Sequence, residues 1–176
     1  MGPPAVGRPP VWAGVSGPAL SDAEGAARFV TRGPGETRRL GARLGRLLRP
    51  GDAVLLSGDL GAGKTVFVQG IARGMGFEGS VSSKSFVLLG EYQGRQSKLY
   101  HADLYRLEAP EQAEELAVEE YCADGGLGAE GPERAPHVFP PDHLRVHFEM
   151  TGERTRALAL EANGPRSGEI LARLRR

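Results

Sequence analysis

The chain has 176 residues, enough for one domain with a full hydrophobic core and too few for a second independent one. Apolar residues make up 40% and charged residues 25%, the balance of an ordinary soluble globular protein, which argues against disordered and membrane classes. Formal net charge is zero, with 22 basic and 22 acidic residues, so the overall field gives no drive toward autonomous binding of a nucleic-acid backbone.

The first 26 residues hold five prolines and many Gly and Ala, with no sustained apolar periodicity. They are expected to form a flexible extension, leaving 27–176 as the folded domain. No apolar run approaches the ~18 residues of a bilayer-spanning helix, and the start lacks the apolar stretch of a secretion signal, so the expected compartment is the cytoplasm. Cys122 is the lone cysteine, which excludes an internal disulfide and agrees with a reducing environment.

A short strand is expected over Arg28 to Thr31, followed by the Gly33-Pro34-Gly35 punctuation. Leu40, Leu44, Leu47 and Leu48 share one face of a helix from Glu36 to Leu48, stopped by Pro50-Gly51. Ala53-Val54-Leu55-Leu56 reads as a strand buried on both faces of a parallel sheet. A glycine-rich loop and a helix from Thr65 to Met75 come next, with Gly74 and Gly76 as the stop. After a loop over Gly79 to Ser85, strands are expected at Phe86 to Tyr92 and Lys98 to Leu104. Pro110 opens an acidic helix reaching Tyr121. The alternation of Leu144 to Met150 and Arg156 to Ala162 about Thr151-Gly152-Glu153 makes a hairpin, and a closing helix runs from Ser167 to Leu174. The pattern predicts an α/β domain with a mostly parallel sheet flanked by helices and an antiparallel C-terminal hairpin.

Gly58-Asp59-Leu60-Gly61-Ala62-Gly63-Lys64-Thr65 satisfies G-x-x-x-x-G-K-[ST] at every fixed position, between a strand signal and a helix signal. Its glycines let successive amides converge on phosphate oxygens, and the following helix points its positive end at the same charge. The nucleotide-lining set is Asp59, Leu60, Gly61, Ala62, Gly63, Lys64, Thr65 and Val66. Lys64 is expected on the β and γ phosphates of ATP, and the Thr65 hydroxyl on Mg2+. A second metal ligand is expected from an Asp ending a nearby strand, and Asp103 fits that description.

The loop, then Gln69-Gly70, the Ser83 to Phe86 segment, Glu91-Tyr92 and His101-x-Asp103-Leu104-Tyr105-Arg106 together resemble the TsaE family, also called YjeE. Glu36-Thr37, Leu40-Gly41, Pro132-Glu133-Arg134-Ala135-Pro136 and Pro141-x-His143-Leu144 extend the likeness from about Arg32 to the C-terminus. The resemblance implies a small P-loop ATPase needed for threonylcarbamoyladenosine at position 37 of tRNA, acting with a TsaB–TsaD pair, so that tRNA is met only through that complex. It implies Lys64 and Glu130 as the catalytic residues, Glu130 orienting or activating the attacking water.

The sequence departs from the family pattern in several places. Ser83-Lys84-Ser85-Phe86 replaces Ser-Pro-Thr-Phe, keeping a hydroxyl at 85. Gly131 stands where the family has tryptophan, and Gly125-Gly126-Leu127-Gly128-Ala129 is less apolar than the family strand there, so a weak strand is expected. These departures keep open a nucleotide-binding subunit with little turnover. A small-molecule P-loop kinase is the other class weighed: Arg95, Arg106 and Arg134 are available, but no lid-like insertion is legible.

Overall fold

A computed structural model describes residues 25–79 and 89–176. The proposed extension up to residue 24 and the Ser83 to Phe86 segment lie outside the described residues. Seven strands form one sheet: β1 (Ala26–Thr31), β2 (Ala53–Gly58), β3 (Leu89–Gln93), β4 (Lys98–Asp103), β5 (Gly125–Glu130), β6 (Leu144–Met150) and β7 (Arg156–Ala162). Their spatial order is β1-β7-β6-β2-β5-β4-β3. The four central strands β6, β2, β5 and β4 are parallel, while β3 closes one edge and β7 with β1 the other, all antiparallel. The expected C-terminal hairpin is β6–β7, and β1, which begins inside the span expected to be flexible, adds itself as the outer strand.

Helices α1 (Pro34–Gly45), α2 (Lys64–Gly74) and α5 (Pro165–Leu174) are longer than α3 (Glu111–Glu115) and α4 (Val118–Cys122). Because strand side chains alternate, β2 sends Val54 and Leu56 into a core with Leu40, Leu44, Phe67, Ile71 and Ile170, and Ala53 and Leu55 into another with Ala113, Val118 and Cys122. Burying both faces of β2 explains its uninterrupted apolar run. Pro34 occupies the start of α1, where its missing amide proton costs nothing.

Two expectations change. The helix expected to reach Tyr121 breaks at Ala117, whose φ of 48 is the only positive value at a non-glycine among the described residues. The break turns the second segment so that Val118 and Cys122 join Ala113 in the buried cluster, which an unbroken 3.6-residue period from Ala113 would not allow. Burial pushes the Cys122 thiol up to about 11, which leaves it unreactive.

The segment expected to be a weak strand is instead β5, buried at all six positions between β2 and β4. Its glycines suit close packing rather than loops: a Cβ on Gly125 would lie 2.7 Å from the Lys98 carbonyl oxygen, and Gly128 faces Val68 of α2.

Candidate active site

The site forms where β2 ends, α2 begins, and β4 and β5 terminate beside them. In a sheet with this connectivity the carboxyl ends of the parallel strands are where ligands bind. Gly58, at φ +133, turns the chain out of β2 so close to β6 that any Cβ would collide with the Phe148 carbonyl oxygen at 2.5 Å. Gly63, at φ +105, directs the chain into α2, whose first turn has no side-chain cap. The leading amides of an eleven-residue helix are thus left for an anion.

Lys64 is 7% exposed. Its Nζ donates to the carbonyl oxygens of Gly58 at 2.6 Å and Asp59 at 2.9 Å, curled back over the loop it would serve. The aromatic ring of Tyr105 lies 5.6 Å from that ammonium, within cation–π range. Arg156, opening β7, donates through Nη2 to the Gly61 carbonyl oxygen at 3.4 Å and through Nη1 to Gly152, Glu153 and Thr155, tying the β6–β7 turn to the phosphate loop. Ala62 is buried, whereas Leu60 is fully exposed at the loop tip. Thr65 and Val66 are half-buried in the first turn of α2.

Glu130 ends β5 and is 8% exposed. Its Oε1 accepts from Thr65 Oγ1 at 3.5 Å and from His101 Nε2 at 3.3 Å. Asp103 pairs with Glu130 across the β4–β5 ladder, so both predicted carboxylates do arrive at one edge of the site. Asp103 Oδ1 accepts from the Tyr105 amide at 3.1 Å, and Oδ2 pairs with Arg106 Nε at 3.1 Å. Thr65 is therefore joined directly to Glu130, with Asp103 one strand further out.

Three participants carried no role in the sequence reading. The Tyr105 ring packs on Gly131, whose φ is +70 and whose Cβ, if present, would sit 3.0 Å from Tyr105 Cδ1, Cγ and backbone N. Gly131 thus lets the Tyr105 ring lie against the backbone that follows Glu130, beside the phosphate loop. Burial, a hydrogen bond to Glu133, and the neighbouring carboxylates of Glu133, Glu130 and Asp103 hold the Tyr105 phenol well above its usual value, so it stays protonated. His147 pairs with Ser57 across β2 and β6, Nδ1 to Oγ 2.9 Å, and burial pushes its imidazole below the usual value. His101 is the third.

These residues fit a magnesium–nucleotide complex. An uncapped helix end, a recruitable ammonium, and a hydroxyl beside a buried carboxylate are the donors and acceptors it requires. No group of three or more His, Cys, Asp or Glu side chains converges among the described residues. That donor set suits an ion completed by phosphate oxygens and water rather than a closed protein cage. Among the described residues, no helix is long and apolar enough to cross a membrane.

Comparison with known proteins agrees with this geometry. Residues 31–158 match the family model described as threonylcarbamoyl adenosine biosynthesis protein TsaE. The tRNA threonylcarbamoyladenosine biosynthesis protein TsaE of Bacillus subtilis is 33% identical over 140 residues, covering 79% of this chain and 87% of its own. Its counterpart in a Nostoc species is 42% identical over 125 residues, covering 68% and 76% respectively. The crystal structure of YdiB from Bacillus subtilis superposes with a TM-score of 0.73 at 29% identity, covering 88% of this chain and 97% of that one. With its P-loop fold, its phosphate-loop site and this breadth of match, the chain belongs to the TsaE family.

Proposed function

We propose that the chain hydrolyses ATP in a magnesium-dependent reaction that supports threonylcarbamoyladenosine formation at position 37 of tRNA, as the accessory subunit of a TsaB–TsaD-like complex. The observation that carries this reading is the junction of β2, α2 and β5, where Lys64, Thr65 and Glu130 meet beside an uncapped helix N-terminus. Family membership supplies the pathway.

The amides from Asp59 to Val66 cradle the phosphates. Lys64 exchanges the Gly58 and Asp59 carbonyls for β- and γ-phosphate oxygens, replacing two neutral acceptors by charged ones. Thr65 and Asp103 would hold Mg2+, Asp103 by giving up its Arg106 partner. When bound, the ion supplies charge neutralisation on the transferring phosphoryl group. Glu130 orients a water and takes its proton as the water oxygen bonds to the γ-phosphorus and the bond to the β-phosphate oxygen breaks, giving ADP and phosphate.

The test is ATP turnover by the purified chain with magnesium, alone and with a TsaB–TsaD pair, together with calorimetric titration of nucleotide. Lys64→Ala should weaken ATP binding by at least about tenfold, the scale of one lost charge-assisted contact. Asp103→Asn should keep the fold and lose magnesium-dependent turnover. Unchanged ATP affinity in Lys64→Ala would remove the loop from the site. The arrest of Asp103 by Arg106 and the Tyr105 amide favours a second reading, a nucleotide-binding subunit with little turnover. Tight ATP binding with no turnover, even with the pair, selects it.

A further inference from the structure

Glu130 is a buried carboxylate that meets Thr65 at the start of α2, and its own segment offers it no long side chain to pack on: Gly128 and Ala129 precede it and Gly131 follows. A glutamate has three rotatable side-chain bonds, and fixing a long side chain of this kind costs roughly 1–2 kcal/mol of rotamer freedom. Orientation must come from a neighbouring strand. His101 stands opposite Gly128 in the β4–β5 register, and Glu130 lies two residues further along the same face, the diagonal separation that long side chains span. His101 is 8% exposed, and its Nε2 reaches Glu130 Oε1 at 3.3 Å. A carboxylate only accepts, so Nε2 carries the proton of this contact. The imidazole is itself backed by the Tyr92 ring of β3, at 6.5 Å between centroids. Thr65 Oγ1 meets the same Glu130 oxygen from α2. The carboxylate therefore sits between one donor belonging to the nucleotide loop and one belonging to the sheet.

We propose that His101 is a positioning residue for Glu130: its Nε2–H pins Oε1 so that the carboxylate keeps its aim at the γ-phosphate side when Thr65 turns to the nucleotide complex. In this role His101 acts through Glu130, the side chain its Nε2 meets. The inference rests on the ATPase reading above.

The test uses the full chain with its TsaB–TsaD pair and MgATP, and compares wild type with His101→Leu, His101→Gln, Glu130→Ala and the double variant His101→Leu/Glu130→Ala. Leucine keeps apolar volume without a donor, while the glutamine amide can reach where Nε2 does. His101→Leu should lower kcat by about 10- to 100-fold, the range seen when a supporting hydrogen bond behind a first ligand is removed, with KM for ATP shifted by less than about threefold. His101→Gln should recover most of kcat. In the Glu130→Ala background, His101→Leu should change kcat by less than about twofold, because the group it aims is gone. Should His101→Leu not fold, His101→Asn, whose amide stops short of Glu130, takes its place with the same expectation.

An equal loss of kcat with and without Glu130, a change confined to KM, or failure of His101→Gln to recover would overturn the positioning role while leaving the ATPase reading intact. Absence of turnover in the wild-type chain would overturn the ATPase reading, and this inference with it.

Discussion

Replacing Gly70 by Ala puts the packing that carries the phosphate loop under test. α1 and α2 touch backbone to backbone: a Cβ on Gly70 would lie 2.2 Å from the Arg38 carbonyl oxygen and 3.0 Å from Gly41 Cα. The obstructing atom is main chain, so no side chain can swing away. To reach the 3.0 Å that real Cβ atoms keep, the helices must part by at least 0.8 Å, the difference between those two distances. Overpacking of this kind costs about 1–3 kcal/mol or more, against a gain of about 1 kcal/mol from the better helix propensity of alanine. Because the clash is 2.2 Å against main chain, the upper end of that cost applies, and about 3 less about 1 leaves a net loss near 2 kcal/mol, a melting temperature lower by roughly 4–8 °C in a chain of this size.

The control is the same substitution at Gly168 in α5, where an added Cβ meets nothing within 4 Å. There only propensity acts, and Gly168→Ala should gain about 0.5–1 kcal/mol, raising Tm by roughly 1–4 °C. Thermal unfolding followed by far-UV circular dichroism reads both. Because α2 begins with Lys64 and Thr65, Gly70→Ala should also slow magnesium-dependent ATP turnover well below its melting temperature, and Gly168→Ala should not. A Gly70→Ala protein as stable as wild type, or more so, would refute the close-approach account of this helix pair.

Two further outcomes are expected. Gly131→Trp restores the family residue at a left-handed backbone position and crowds Tyr105. It should lose about 2 kcal/mol or more, and a variant that melts with wild type would show that the Tyr105 ring gives way freely. Asp142 accepts the backbone amides of Arg166 at 2.7 Å and Ser167 at 2.9 Å at the start of α5. Burial works to raise its carboxyl, but the hydrogen bonds from Ser167 and Arg166 outweigh it and bring the group below the ordinary carboxylate value. With the folded value depressed, the stabilisation is complete above about pH 4, the unfolded value, and disappears as pH falls through the folded one. Asp142→Asn should therefore cost about 1 kcal/mol at pH 7, the difference between hydrogen bonds accepted by a charged and by a neutral oxygen, and its deficit in urea unfolding should shrink below about pH 4. A deficit constant down to pH ~3 would contradict the assignment.

The phosphate loop was legible because its chemistry depends on consecutive residues: glycines for the turn, a lysine, a hydroxyl and a helix start lie within Gly58 to Thr65. β2 and the β6–β7 hairpin were legible for a similar reason, since an apolar run and a two-residue alternation are local signals. Asp103 was legible as an Asp ending a strand near the loop, Glu130 was reached through family resemblance, and the β4–β5 register places them side by side. β5 was not legible, because a run of small residues looks the same in a loop as in a strand squeezed between two neighbours and a helix. Only the approach of Val68, Lys98 and Tyr100 distinguishes them. The break at Ala117 follows from which side chains the second core can accept, and no local period announces that.

The sequence by itself thus determined the class of site, the loop that anchors it, and the strand and helix on either side of that loop, because those are properties of short contiguous stretches. Tertiary structure decided that Thr65, Glu130 and His101 share one carboxylate oxygen, that Tyr105 fills the space over Gly131, and that Asp103 is held by Arg106. Thr65, His101 and Glu130 are brought together by strand register and helix approach across 65 positions of chain, distances that local propensity does not encode.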